Sequence, residues 1–162
     1  MRRMILSFFG SGYLRPAPGT WGSLTALPAA WLIHVLGGGL LLSFLIGVVF
    51  MVGLQATKVE IEVGDDHDPS WVVIDEVVGQ WIALLPVSYG AMMMGADVLR
   101  LWPGILAAFL LFRLFDITKP WLVGRADARG DALGVMLDDV WAGVFAAIGV
   151  AVLAAIGHGV FM

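Results

Sequence analysis

Long apolar blocks separated by short polar or Gly/Pro-rich stretches organise this chain. The first block covers residues 24–56 and contains three consecutive glycines at 37–39. A glycine triplet favours a tight link rather than a continuous helix. We therefore predict two short segments in this block, 24–36 and 40–56, of which the first is the shortest and the one that most resembles a re-entrant segment.

Three further apolar blocks follow. They cover residues 77–95, with Pro86 inside, 101–115, with Pro103 in the first turn, and 140–157. A membrane-spanning helix needs about 20 residues, so several of these blocks are near the lower limit. The pattern predicts an all-α membrane bundle of about five transmembrane or partly re-entrant segments.

The composition agrees with this pattern. Of 162 residues, 60% are apolar and 14% charged, and the mean hydropathy is +0.92, so a soluble fold has too little interior to bury them. We predict one membrane-embedded domain, 1–162. The net charge of −4 argues against nucleic-acid binding, and without cysteines there is no thiolate site or Cys nucleophile.

Charged residues fall on one side of the predicted bundle. If five segments alternate in direction, stretches 1–23, 57–76 and 116–139 emerge on the same face. With Arg113 at the adjoining helix end, that face holds eight of the nine basic residues and twelve of the thirteen acidic ones. The positive-inside rule makes this face cytoplasmic. Acids and bases together suggest a polar site there.

Two acid pairs stand at the starts of apolar blocks on this face. Asp75 and Glu76 precede the block from residue 77, and Asp138 and Asp139 precede the block from residue 140. Acids at helix N-termini also stabilise the helix dipole, which is the simpler interpretation of either pair alone. Together with Asp116, however, five carboxylates would converge and repel one another, and a divalent cation would hold them.

The ligand types favour Mg²⁺ or Mn²⁺ over zinc, because the acids offer only oxygen and His67 is the one histidine nearby. A magnesium site usually shares its ion with phosphate. Arg113, Asp116 and Lys119 are spaced by three residues, and Arg113 and Lys119 supply cations for that phosphate. An Arg113–Asp116 ion pair beside a snorkelling lysine is the alternative interpretation.

The N-terminal stretch "GSGYLRPAPGTWGS" adds a second candidate phosphate site. Gly19 and Gly22 allow close approach of a ligand, and the hydroxyls of Thr20 and Ser23 lie beside them. We expect Ser23 to cap a helix starting at Leu24, whose free amides would bind an anion. The stretch lacks the P-loop pattern, so a nucleoside triphosphate is not indicated.

Four separated motifs, "RPAPGTWGSLTALP", "HDPSWVVIDEVVGQW", "FRLFDITKPW" and "GVMLDDVWAG", resemble the phosphatidylglycerophosphatase A family over nearly the whole chain. The resemblance implies a bacterial inner-membrane, Mg²⁺-dependent enzyme that removes the terminal phosphate of the phospholipid phosphatidylglycerophosphate. It also implies that the two acid pairs are metal-site acids. The chain departs from the family at Asp131 and Ala132, where relatives commonly have two glycines. We therefore expect the shape of the 124–134 loop to differ from theirs.

We expect a metal-bound water to be the nucleophile, with Asp116 or Glu76 as the base that takes its proton, and Arg113 and Lys119 to bind phosphate oxygens. A route through a phospho-aspartate intermediate stays open. Two other functions stay open. One is a Mg²⁺-dependent lipid head-group phosphotransferase, and the other a divalent-cation transporter. A transporter would place its acids near the membrane midplane rather than at one face.

Overall fold

The computed structural model describes residues 1–64 and 69–161, with side chains described up to residue 157. Those residues form helices and no strand, which confirms the predicted all-α class. The α-helices are α1 (Arg2–Leu6), α2 (Pro18–Val63), α3 (Ile74–Met94), α4 (Trp102–Thr118), α5 (Leu122–Asp127) and α6 (Ala132–Phe161), with short 3-10 turns at Ser11–Tyr13 and Val98–Leu101.

Helix α2 folds back on itself in the middle. Gly38 has φ 62° and ψ −159°, a conformation that only glycine adopts easily, and it lies beside Met92 near the end of α3. Gly22 in the first arm and Gly53 in the second both pack against the residues that begin α3. The 46 residues therefore form a hairpin of two antiparallel arms, 18–36 and 39–63.

The glycine triplet thus makes the link that the sequence predicts, and the first arm runs the length of the bundle. Gly19 in this arm lies beside Glu76 near the start of α3, while His34 hydrogen-bonds Ser88 near its end (2.7 Å). Within the described residues four helices, α2, α3, the segment Val98–Thr118 and α6, are long and apolar enough to span a membrane. Because the first is a hairpin, the described part of the chain has five long helical segments.

Two predicted helix starts are wrong. Helix α2 begins at Pro18 rather than Leu24, because a proline is favourable in the first turn, where its missing N–H costs nothing. Helix α6 begins at Ala132 rather than 140, because the Asp131 carboxylate accepts a hydrogen bond from the Gly134 backbone N–H (2.7 Å) and caps it. Both helices extend beyond their apolar blocks, so hydropathy alone underestimates their lengths.

Helix α3 is the centre of the bundle. It packs against both arms of α2, against α4 and against α6, and the buried core includes Val77, Val78, Phe112 and Met136. Large apolar side chains on the outer faces of α2, α4 and α6 remain exposed, as membrane-facing surfaces do: Leu32, Val35, Leu106, Leu110, Leu114, Ile148 and Val152.

The N-terminal helix covers one end of the bundle. The Val73 backbone N–H donates to the Leu6 carbonyl (2.8 Å), and Arg2 pairs with the buried Glu60 at the end of α2 (2.7 Å). These contacts fix the start of α3 at the end of the bundle where the charged residues gather.

Candidate active site

A polar cleft of about 370 Å³ opens at this end of the bundle. It is formed by the start of α2, the start of α3, the end of α4 and the first turns of α6. All five predicted site acids and both predicted cations line it. The lining residues are Ala17, Pro18, Gly19, Ser70, Val72, Asp75, Glu76, Arg113, Asp116, Ile117, Lys119, Val135, Asp138 and Asp139.

Three of the carboxylates converge. Asp75, Glu76 and Asp139 each offer an oxygen, and these oxygens lie within 4.8 Å of one another. Asp75 and Asp139 are almost fully buried, and Glu76 Oε2 and Asp139 Oδ1 have no hydrogen-bond partner. Buried, unpaired carboxylate oxygens are unfavourable without a counterion, so this trio fits a divalent cation with oxygen ligands.

The fourth acid of the predicted metal set is placed differently. Asp138 pairs with Lys119 (Oδ2 to Nζ 3.1 Å), while its neighbour Asp139 points to the trio. Both aspartates lie well inside α6 rather than at its N-terminus, which corrects the interpretation that they cap this helix. Adjacent helical residues point about 100° apart, so the pair contributes one acid to the trio and one to the lysine.

A close crossing of α3 and α6 sets the spacing of the trio. One turn beyond Asp75 and Asp139, Gly79 and Gly143 lie against each other. A Cβ on Gly143 would stand 3.0 Å from the Gly79 Cα, and a Cβ on Gly79 would stand 2.5 Å from the Asp139 carbonyl oxygen. Only hydrogen side chains allow the two backbones to approach this closely, which brings acids from separate helices together.

Arg113 lies at the side of the trio. It donates to Asp116, which confirms the ion pair inferred from their spacing, and its Nη1 also approaches the Ser23 hydroxyl (3.4 Å). Its buried Nε has no partner. A Cβ on Gly19 would clash with the Glu76 carboxylate and come within 3.2 Å of Arg113 Nη1, so a larger residue at this position would displace both side chains.

Lys119 is the second cation that lines the cleft. It ends α4 with φ 45°, the left-handed conformation, just before Pro120, and its Nζ pairs with both Asp127 and Asp138. Burial lowers the pKa of Lys119, but the hydrogen bond to Asp127 and the charge of Asp138 outweigh it and raise the pKa above its ordinary value. The ammonium group is therefore charged at neutral pH.

The other predicted phosphate-binding residues are dispersed. Because α2 begins at Pro18, Ser23 is inside the helix, and its hydroxyl donates to the Gly19 carbonyl (2.8 Å) instead of capping. Gly22 faces Val73 rather than the cleft, and Thr20 does not line it. The helix start that does border the cleft is formed by Ala17 and Pro18. His67 lies outside the described residues.

Two residues at the site were not identified from the sequence. Asp127 in α5 pairs with Lys119, although it belongs to none of the acid pairs. Gln80 is fully buried one turn beyond Glu76, and neither atom of its amide has a hydrogen-bond partner. A lone polar residue within an apolar block was the only available signal for Gln80.

Buried acids facing two cations at one end of a helical membrane bundle are features of a phosphate-handling membrane enzyme. The comparisons identify which one it resembles. The chain belongs to the phosphatidylglycerophosphatase A family, whose family model matches residues 4–154.

Two relatives carry the name of this family, and a third carries another name. A phosphatidylglycerophosphatase A of Haemophilus influenzae is 38% identical over 145 residues, covering 86% of this chain and 80% of the relative. The Escherichia coli protein of the same name is 32% identical over 151 residues, covering 93% and 80%. A Bacteroides thetaiotaomicron protein named "Putative phosphatidylinositol-3-phosphatase" is 39% identical over 154 residues, covering 89% and 87%. No solved structure matches the chain.

Proposed function

We propose that this protein is a Mg²⁺-dependent phosphatase that converts phosphatidylglycerophosphate to phosphatidylglycerol and inorganic phosphate during bacterial phospholipid synthesis. The observation that carries the proposal is the convergence of Asp75, Glu76 and Asp139, with an unpaired buried oxygen on Glu76 and on Asp139, in a cleft that Arg113 and Lys119 also line. Family membership supplies the substrate.

The metal assignment follows from the trio. Asp75, Glu76 and Asp139 would hold Mg²⁺. Asp138, the fourth acid of the predicted set, would instead hold the ammonium group of Lys119 in place. A bound Mg²⁺ would neutralise charge on the phosphate oxygens and lower the pKa of a coordinated water.

The remaining residues would bind and orient the phosphate. Arg113, held by Asp116, and Lys119, held by Asp127 and Asp138, present cationic N–H groups to the phosphate oxygens. The oxygen of the water forms a bond to phosphorus as the bond from phosphorus to the glycerol oxygen breaks, and one proton of the water passes through a carboxylate and solvent to the leaving glycerol oxygen. Asp116 and Glu76 stay the two candidate bases for the proton of the water: Asp116 is paired with Arg113 outside the trio, and Glu76 belongs to the trio.

The site would face the cytoplasm of a bacterial inner membrane. The charged ends of the helices gather around the cleft, and the positive-inside rule puts them on the cytoplasmic side. Among the described residues, Asp97 is the one acid at the opposite end of the bundle. This one-sided arrangement favours an enzyme over a cation transporter, which needs polar groups along the membrane.

Phosphate release from purified protein in detergent, with phosphatidylglycerophosphate and with or without Mg²⁺, tests the proposal. Asp75→Asn and Asp139→Asn should each lower the rate by at least about a hundredfold, since each removes one charged oxygen ligand. Asp97→Asn is the matched control, because Asp97 only caps the 3-10 turn at the far end.

The same assay separates the alternatives. Transfer of phosphate to an added alcohol instead of release would favour the phosphotransferase. Phosphatidylinositol 3-phosphate should be run in parallel, because one relative bears the name of a phosphatase for that lipid. Phosphate release from that lipid alone would show that it is the substrate. Phosphate release that neither Asn substitution lowers would refute the proposed metal site.

A further inference from the structure

The cleft has an apolar edge as well as a polar one. The polar lining consists of the carboxylates, Arg113, Lys119 and the exposed Ser70. The apolar lining includes Ala17 and Pro18 at the start of α2 and Ile117 near the end of α4, and Ile117 is 68% exposed. A fully water-facing site has no need of an exposed isoleucine at its edge.

The apolar edge continues along α4. Leu106, Leu110, Leu114 and Ile117 repeat at intervals of four, four and three residues, which places them on one face of the helix, and all four are about half exposed or more. Eleven residues of helix span about 16 Å. This length matches one leaflet, since the hydrocarbon core of a bilayer is about 30 Å thick. The stripe therefore leads from the cleft to about the bilayer midplane.

The polar lining of the cleft and the apolar stripe on α4 meet at Asp116 and Ile117. They are consecutive residues on α4, so their side chains point about 100° apart. Asp116 turns to Arg113 inside the site, whereas Ile117 turns to the outer surface. A molecule bound here would place its anionic group beside Arg113 and its apolar part along α4.

We propose that the diacylglycerol part of the phospholipid substrate lies in this lateral opening between the start of α2 and the end of α4, with an acyl chain along the α4 stripe and Ile117 at the junction with the head group. This inference rests on the proposed phosphatase function. It makes Ile117 a determinant of how the enzyme distinguishes a membrane lipid from the same head group free in water.

The absence of cysteine allows a direct test. Ile117→Cys is alkylated with a bulky polar maleimide, and Ile148→Cys is the control, because Ile148 is similarly exposed (57%) but lies on α6 and does not line the cleft. Each protein is assayed with diacyl phosphatidylglycerophosphate in mixed micelles and with its deacylated, water-soluble head group.

Alkylated Ile117→Cys should lose at least about tenfold in kcat/KM for the diacyl lipid, mostly through KM, and change less than about twofold for the deacylated compound. Alkylated Ile148→Cys should change little with either. If the deacylated compound binds without turnover, its inhibition constant replaces kcat/KM.

Three results would overturn the inference. No selective loss for the diacyl lipid would show that the acyl chain passes elsewhere. An equal loss for both compounds would place Ile117 in head-group binding. An equal loss in the Ile148 variant would mean that alkylation perturbs the bundle in general. Failure of the proposed function is distinguishable, because the unmodified protein would then release no phosphate from either compound.

Discussion

Replacing Gly79 with alanine tests whether the crossing of α3 and α6 determines the geometry of the proposed metal site. The new Cβ would stand 2.5 Å from the Asp139 carbonyl oxygen, where ordinary contacts begin near 3.4 Å, and it would also meet the buried Phe112 ring. The two helices must then separate by roughly 0.9 Å. Overpacking of this kind costs about 1–3 kcal/mol.

The separation acts directly on the trio, because Asp75 and Glu76 move with α3 and Asp139 with α6. Their oxygens lie within 4.8 Å of one another, and ligands on opposite sides of Mg²⁺ are about 4.2 Å apart at most. Widening the gap therefore moves the acids away from the distance that the ion requires. We expect the Mg²⁺ concentration for half-maximal activity to rise about 10–100-fold, or about 1.4–2.7 kcal/mol.

The assay is phosphate release as a function of Mg²⁺, with Mn²⁺ binding followed by electron paramagnetic resonance as a second measure. Gly90→Ala is the matched control, since it lies on the same helix and a Cβ there meets nothing within 4 Å. Because it also replaces a helical glycine with alanine, Gly90→Ala shows how much of the effect comes from the gain in helix propensity, about 1 kcal/mol. Equal half-saturation in the two variants would refute the reasoning.

Three other substitutions probe neighbouring features. Gln80→Leu should raise the unfolding temperature in detergent by removing an unpaired buried amide; a fall in unfolding temperature would contradict this. Asp127→Asn should raise KM several-fold by weakening the hold on Lys119, with Asp97→Asn at the far end of the bundle as the acid-removal control. Asp131→Ala should destabilise α6 at neutral pH; the Arg129 hydrogen bond lowers the Asp131 pKa, so the difference from the unsubstituted protein should vanish as pH falls through that lowered value, measured by thermal unfolding.

The sequence predicted the features that depend on local composition. Hydropathy located the long helices, the glycine triplet located the hairpin, and the alternation of crossings gathered the charges at one end. Arg113 and Asp116 could be paired because three residues separate them on a helix.

Features that depend on helix rotation and helix start were not predictable in the same way. Whether Asp138 or Asp139 joins the trio depends on how α6 is turned, and the role of Ser23 depends on a start at Pro18 that lies outside the apolar block. The Gly79–Gly143 contact joins residues 64 positions apart and leaves no local pattern. Asp127 was missed because its partner is eight residues away, across the break after α4.

The last helix supplies Asp139 to the trio and Asp138 to Lys119, and its packing on α3 fixes the distance between the acids. A nascent chain that has inserted α1 to α5 therefore holds only Asp75 and Glu76 of the trio. Such an intermediate has little affinity for a divalent ion, and its Lys119 has Asp127 but not yet Asp138 as a partner. Metal capture would then come last in biogenesis, so that the enzyme gains its activity only after its final helix has entered the membrane.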